Sequence, residues 1–277
     1  MAANQPIYAS ATAAGTNANS GWSHNLWKSC PWNNLRADRN AGFAEEEDFL
    51  TLGYAGSSGS GAVTGQVGKY PCYIYQGGEI VDAAIQGGGV KIDSDGDNEG
   101  AAIFPGTTCL QFKSTMKRAW CEFRVKTSTI ADTKHGIFLG LTSAYTPTTG
   151  VPIATDGTLA DKDLIGFHRL EGTGNAFNFV WKASGQTQVT GITTLVTLVA
   201  DTFVKIGFTF DPDAETAKQM VIFVNGVENA TYVTATQMAA ATFPNAVTLG
   251  PIFAVMNATG TTPGNSTCDW WRYAQEL

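Results

Sequence analysis

Apolar and polar residues alternate along several stretches of the chain beyond residue 90. In WCEFRVK (residues 120–126), Cys121, Phe123 and Val125 share one face, and the charged residues between them share the other. FVKIGFTF (203–210) alternates in the same way. A side-chain period of two is that of a β-strand, in which successive side chains point to opposite faces. Both stretches therefore predict half-buried strands, each with one face in water.

MVIFVNGVENATYV (220–233) predicts a β-hairpin. Two apolar, β-branched runs flank Asn225-Gly226, a dipeptide that accepts the positive φ angles of a type I′ turn. Only ATQMAAA (235–241) suggests a turn or two of helix. Further strand candidates are GIFLGLT, DLIGFHRL, AFNFVWKA, AVTLGPIFAVM and TCDWWRYA. This series of short strands predicts an all-β fold, a two-sheet antiparallel jelly-roll sandwich.

The first third of the chain shows neither the two-residue period of a strand nor the period of a helix. It combines a polar leader, three tryptophans in GWSHNLWKSCPWNNL and a flexible SSGSG run. We therefore expect residues 1–89 to form an N-terminal arm and irregular packing segment, and residues 90–277 to form the jelly-roll sandwich. Large rings without periodicity suit an extended arm that gains order by burying them at an intersubunit contact. The interface residues predicted in this way are Trp22, Trp27, Trp32, Phe43 and Phe49.

Composition agrees with a sheet protein and excludes some partners. Charged residues make up 15% of the chain and glycine contributes 31 residues, which suits many turns. A formal net charge of −7 offers no basic surface for nucleic acid or for an anionic membrane. No apolar stretch approaches the ~20 residues of a membrane span. Because residues 1–21 lack the regions of a signal peptide, the five scattered cysteines are expected to be buried free thiols.

The densest run of oxygen ligands is DSDGDNEG (93–100). Asp93, Asp95 and Asp97 match the first three ligand positions of an EF-hand loop. However, Asn98 replaces the glycine of the sixth position, and a phenylalanine replaces the glutamate of the twelfth. Asp and Asn also hydrogen-bond their own backbone in tight turns. The run is therefore not an EF-hand, and calcium binding by an unrelated geometry is the alternative to a turn. We predict a solvated acidic turn between two strands, and no metal site.

FVKIGFTFDPDAETAKQMVIFVNGVE (203–228) resembles the back-sheet hairpin of concanavalin-A-like lectin/glucanase (laminin-G-like) jelly rolls. KRAWCEFRVKTSTIADTKHGIFLGLT, ATDGTLADKDLIGFHRL and TCDWWRYAQEL look like segments of tailed-bacteriophage virion proteins built on that sandwich. The resemblance covers residues 90–277. It implies a capsid decoration (cement) or fibre-associated protein, assembled in the host cytoplasm and located in the virion. Its partners would be the phage major capsid protein and other copies of itself. The alternative is a carbohydrate-binding module of a phage fibre or tail that recognises host glycans.

Glycoside hydrolases of this sandwich carry carboxylates at alternating positions of one strand, in the pattern Glu-x-Asp-x-x-Glu. Here Glu79 and Asp82 are three residues apart and would face opposite sides of a strand. Glu122 has Arg124 on the same face, which favours a surface ion pair. The sequence holds no nucleophile elbow and no Cys–His signature, and His168 suits a packed or rim position. We therefore expect a non-enzymatic protein with no catalytic residues and no cofactor.

Tryptophans provide the last candidate site. Trp120, Trp181, Trp270 and Trp271 include rings that a lectin fold could use for sugar stacking. Trp270 and Trp271 are adjacent, so one must face the core and the other the surface or a partner. Core packing is the expected position for most of these rings.

Overall fold

A computed structural model describes residues 21–50, 56–57, 62–85, 87–94, 96–131, 136–143, 151–154, 158–170, 174–257 and 264–277. These residues contain three short helices, α1 (His24–Trp27), α2 (Trp32–Ala37) and α3 (Ala235–Ala239). Their strands are β1 (Gly42–Glu47), β2 (Gly56–Ser57), β3 (Ala62–Val67), β4 (Tyr70–Tyr75), β5 (Glu79–Asp82), β6 (Val90–Ser94), β7 (Gly100–Ile103), β8 (Ala119–Thr127), β9 (Gly136–Thr142), β10 (Leu164–Arg169), β11 (Ala176–Lys182), β12 (Val189–Thr197), β13 (Val204–Phe210), β14 (Met220–Val224), β15 (Val227–Val233), β16 (Gly250–Met256) and β17 (Gly264–Glu276). No described helix is long and apolar enough to cross a membrane.

The strands form two antiparallel sheets. Sheet A has the order β15-β14-β13-β8-β17-β6-β5-β2, and β1 pairs with the second half of β17. Sheet B has the order β12-β11-β10-β9-β16-β7-β4-β3. The alternation of apolar and polar residues thus identified a real two-sheet antiparallel sandwich, and the predicted all-β fold class is confirmed.

The core lies between the two sheets. Phe123 and Phe208 come from neighbouring strands of sheet A, and both are fully buried. Phe167 and Phe179 reach them from sheet B, with the rings of Phe179 and Phe208 5.8 Å apart and edge to face. Burial of these apolar surfaces is the main favourable contribution to folding.

The predicted hairpin is confirmed. β14 and β15 pair around Asn225 and Gly226, which have φ angles of 50° and 78°. Positive φ at both central residues is the geometry of a type I′ turn, which Asn-Gly favours. The ATQMAAA run likewise forms α3.

All five cysteines are free thiols, as predicted. Cys72, Cys121 and Cys268 are buried, and burial raises the pKa of the Cys72 thiol to about 11. Cys30 and Cys109 are half-buried, and burial raises the pKa of the Cys109 thiol to about 12. A thiol with so high a pKa is a poor nucleophile at neutral pH.

The expectation of an N-terminal arm up to residue 89 needs correction. β3 and β4 belong to sheet B, and β5 belongs to sheet A, so the sandwich includes much of the predicted arm. β4, with the sequence YPCYIY, is buried on both faces for most of its length. A strand buried on both faces has no alternation of apolar and polar residues, which is why its pattern was missed. Residues 1–20 and 58–61, which include most of SSGSG, lie outside the described residues.

Residues 21–38, named here the cover segment, pack on the outer face of sheet A. Their apolar side chains form one cluster with side chains of β8, β14 and β17: Leu26, Trp27, Trp32 and Leu35 with Trp120, Phe223 and Ala274. Gly207 allows the close approach, because a Cβ there would lie 2.6 Å from Cδ1 of Leu26. The predicted wet face of β8 is therefore wrong, since the cover segment excludes water from it.

The five aromatic residues predicted to contact a partner subunit pack within the chain itself. Trp22 lies 4.6 Å from Trp32 between ring centroids, and both contact Trp27. Phe43 packs against Tyr273, and Phe49 is a buried member of the main core. Trp27, Trp32 and Phe49 are buried within the chain, and Trp22 and Phe43 are half-buried. The expectation of an extended arm that gains order only against a partner therefore needs correction, because these rings pack on the chain's own sandwich.

Candidate functional site

The acidic run 93–100 connects sheet A to sheet B at one end of the sandwich. It leaves β6 after Ser94 and enters β7 at Gly100. The carboxylate of Asp93 pairs with Lys91 at 2.6 Å, and Oε2 of Glu99 accepts the N–H of Gly96 at 2.7 Å. The predicted turn between two strands is confirmed, although Asp95 itself lies outside the described residues.

Asn257 holds this turn against the end of β16. Its backbone N–H donates to the carbonyl of Glu99 at 2.7 Å, and its side-chain amide donates to the carbonyls of Gly96 and Ser94 at 3.2 and 3.5 Å. Asn257 is only 2% exposed. These three bonds from one buried residue, two of them from its side-chain amide, fix the backbone of the turn that carries Glu99.

An aromatic surface lies beside the turn on β4. Tyr73 and Tyr75 occupy alternate positions on the outer face of sheet B, with ring centroids 6.4 Å apart and planes 15° from parallel. Tyr73 is nearly buried, and burial raises the pKa of its phenol. Tyr75 is half-exposed and pairs in register with Gly100, the first residue after the turn. Tyr75 therefore remains partly accessible to solvent on a strand that pairs with the end of the acidic turn.

Polar groups complete the site around Tyr75. Gln76 follows it with an exposed side chain and a positive φ of 47°. The half-buried Glu99 lies across from this turn, and a Cβ on Gly77 would collide with its carboxyl group. Tyr75, Gln76 and Glu99 are named here the Tyr75 site. An open ring beside a carboxylate and an amide suits a ligand that has both C–H faces and hydroxyl groups.

The described residues contain no group of three His, Cys, Asp or Glu side chains placed to hold a metal ion. We therefore expect that calcium or EDTA leaves the melting temperature of the protein unchanged. A bound cation at a hundredfold excess over its dissociation constant would stabilise the fold by ~2.7 kcal/mol. Differential scanning calorimetry measures this directly, with Asp97→Asn as the control variant. A drop of several degrees in EDTA that Asp97→Asn removes would show that the turn binds calcium.

The carboxylates considered for catalysis are not brought together. Glu79 is half-buried and pairs in register with Asp93, whereas Asp82 is exposed and accepts the N–H of Ala84 at 2.7 Å. The predicted surface ion pair of Glu122 with Arg124 is wrong. Glu122 is 1% exposed, and its hydrogen bonds come from the cover segment.

His168 is buried, with its ring 6.5 Å from Phe138, and matches the packed position expected for it. The candidate tryptophans do not form a stacking platform either. Trp181 and Trp271 lie in the main core. Trp271 is thus the member of the adjacent pair 270–271 that faces the core. Trp120 and Trp270 lie on the outer face of sheet A and are at most 4% exposed. The sequence reasoning missed Tyr75 because β4 had been assigned to the arm.

No protein-family model and no curated protein sequence matches the chain. Solved structures do match. A point mutant of the Emp46p carbohydrate recognition domain is 10% identical, with a TM-score of 0.51, and the match covers 83% of this chain and 97% of that one.

Two further matches are enzymes by name. An endo-β-1,4-glucuronan lyase from the fungus Trichoderma reesei is 10% identical over 85% of this chain and 94% of its own, with a TM-score of 0.49. An endo-β-1,3-glucanase from Pyrococcus furiosus is 12% identical over 84% and 94%, with a TM-score of 0.45. The expectation that the chain is not an enzyme is corrected by these matches, because enzymes occur among its structural neighbours. At such low identity the comparisons establish the fold alone: the chain is an all-β, two-sheet antiparallel sandwich, and its structural neighbours are concanavalin-A-like lectin/glucanase jelly rolls.

Proposed function

We propose that this chain is a carbohydrate-binding protein and that it binds a saccharide at the Tyr75 site. The observation that carries the proposal is the half-exposed Tyr75 two residues before Gly77, against which the Glu99 carboxyl group lies. The likeness to a carbohydrate recognition domain supports the same function. The site lies on the outer face of sheet B, at the end where β4 stops and β7 starts.

The chemistry of the Tyr75 site suits a sugar ring. A pyranose presents C–H groups on its faces, which pack on the face of an aromatic side chain. Its hydroxyl groups donate hydrogen bonds to a carboxylate such as that of Glu99, and bonds to a charged acceptor are stronger than neutral ones. Because Asn257 and Gly96 already hold this turn, binding would cost little ordering of the protein.

Substitution of Tyr75 tests the proposal. A glycan panel first identifies the bound saccharide, and calorimetry then gives its Kd. Tyr75→Ala is expected to raise Kd about tenfold, equivalent to about 1.4 kcal/mol of lost stacking. Tyr75→Phe keeps the ring and is expected to bind like the unsubstituted protein. Tyr232→Ala is the matched control, because Tyr232 is likewise half-exposed but lies on β15 of the other sheet. Unchanged affinity in Tyr75→Ala would contradict the proposal.

The segment resemblance to tailed-phage virion proteins supports a narrower proposal, in which the chain is carried on a phage particle. Its partners there would be the major capsid protein and other copies of itself, and its location the virion. The structural neighbours give no indication of this role, so it stays a prediction. Cosedimentation of the purified chain with phage heads that lack it tests the proposal. Recovery of all the chain in the supernatant at micromolar concentration would contradict it.

A further inference from the structure

Charged side chains are concentrated on the outer face of sheet A, directly beneath the cover segment. Glu122 pairs in register with Arg272 and Gly207, and Arg124 pairs with Lys205. Asp269 forms a buried salt bridge with Arg124. Such a row of charges would ordinarily face water. Here the cover segment lies over it, and the tryptophan cluster closes one side.

Glu122 is the main polar contact between the cover segment and the sheet. Its Oε2 accepts the indole N–H of Trp27 at 2.7 Å and the backbone N–H of Ser23 at 3.2 Å. Lys205 adds a bond from Nζ to the carbonyl of Gly21 at 2.8 Å. These three contacts involve Gly21, Ser23 and Trp27, all in the first seven residues of the segment. Docking of residues 21–27 is therefore coupled to the charge state of one carboxylate.

Closure of the cover segment has an electrostatic cost. Burial raises the pKa of Glu122, and the bonds from Ser23 and Trp27 and the nearby Lys205 offset this only in part. Burial also lowers the pKa of Lys205 although Glu122 opposes the change, so desolvation outweighs the attraction between the two groups. A buried polar atom without a partner adds to this cost. Among the described residues, buried polar atoms without a hydrogen-bond partner include Ser23 Oγ in the segment and Arg124 Nε and Arg272 Nη1 in sheet A.

We propose that the cover segment is a latch on the outer face of sheet A that closes more tightly as the pH falls, with Glu122 as its proton-sensitive contact. An exposed glutamate titrates near 4.5. Closure raises the pKa above that value, so the closed state binds the proton more tightly than the open state. Linkage then makes closure more favourable as the pH falls through the raised pKa, and less favourable as the pH rises through it.

Other charged groups around Glu122 titrate elsewhere or lie apart from the latch contacts. Burial lowers the pKa of Arg272 to about 10, so this group keeps its proton at neutral pH, and burial also lowers the pKa of Lys205. Arg124 is bound to Asp269, whose pKa burial also raises. The remaining charged groups near this face are Glu46 on β1, Arg36 in α2 and the exposed His24 in α1. His24 is the imidazole that a control must separate from Glu122.

Hydrogen exchange of the intact chain tests the latch. Protection of peptides within residues 21–38 is measured at pH 5 and pH 7.5, corrected for the intrinsic exchange rates. Peptides of β13 provide the internal reference. Protection of the cover segment is expected to be several-fold higher at pH 5, because the closed state binds the proton of Glu122 more tightly than the open state does. Equal protection at the two pH values would overturn the proposal.

Variants assign the effect to Glu122. Glu122→Gln is expected to remove the pH dependence, and His24→Gln is expected to keep it; the reverse result would show that the histidine is responsible. Trp27→Phe keeps the ring but removes the N–H that lowers the pKa of Glu122. It should move the midpoint of the pH dependence upward. This variant tests the latch even if Glu122→Gln does not fold, and an unmoved midpoint would contradict the role of Glu122.

Discussion

Replacing Phe49 by alanine is expected to lower the free energy of unfolding by about 3–5 kcal/mol. Phe49 is 3% exposed, and its ring lies 4.9 Å from that of Trp271 and 6.2 Å from that of Tyr70. Removal of the ring leaves a cavity in the main core, and Trp271 and Tyr70 lose their contacts with the Phe49 ring. Urea denaturation followed by tryptophan fluorescence measures the change.

Leu50→Ala is the matched control, since Leu50 follows directly and is 66% exposed. Its effect is expected to stay within about 0.5 kcal/mol. The comparison tests whether residues 42–50 are part of the sandwich or an arm. If Phe49→Ala were as stable as the unsubstituted protein, the segment would not contribute to the folded core.

Replacing Arg124 by methionine is expected to cost about 3–5 kcal/mol, because it leaves Asp269 buried without its partner. The side chains of both residues are less than a tenth exposed. The loss should be largest at neutral pH and should shrink in acid. Burial raises the pKa of Asp269, and a group whose pKa is raised on folding contributes least to stability above that pKa. Urea denaturation at pH 7 and at pH 4.5 measures both effects.

Two further variants separate the buried pair from a surface pair. The double replacement Arg124→Met with Asp269→Leu is expected to recover most of the stability, because it removes both charges. Lys126→Met is the matched control on the same strand. Lys126 lies 3.9 Å from the well-exposed Asp201, and such pairs contribute at most about 1 kcal/mol. If neither acid nor the second replacement reduces the stability lost in Arg124→Met, the lost packing of Arg124 is responsible for the effect.

The sequence predicts those parts of the fold that local pattern determines. β8 and β13 alternate because one face of each lies in the core, and Asn225-Gly226 determines its turn through backbone preference alone. β4 was missed because neighbours on both faces bury it, and no alternation remains in YPCYIY. Its pairing with β7 depends on the whole sandwich.

The candidate site was harder to predict than the fold. The exposure of Tyr75 depends on which strand lies beside it, and Gly100 is recognisable as its partner only in the folded chain. Glu122 was misassigned because its strand pattern indicates a wet face. The cover segment that removes the water comes from 95 residues away, through a hydrogen bond from Trp27. Local pattern contains no information on such a contact.

Because β17 pairs with strands on both of its sides, sheet A cannot be completed until β17 has been synthesised. β17 lies between β8 on one side and β6 and β1 on the other. Until residues 264–276 leave the ribosome, sheet A exists only as separate pieces, each with an unpaired edge. Contacts between β1 and β17 span more than two hundred residues, as in the pairing of Gly42 with Glu276. Folding of such a topology is slow, and chains that stop before β17 would present exposed strand edges that favour aggregation.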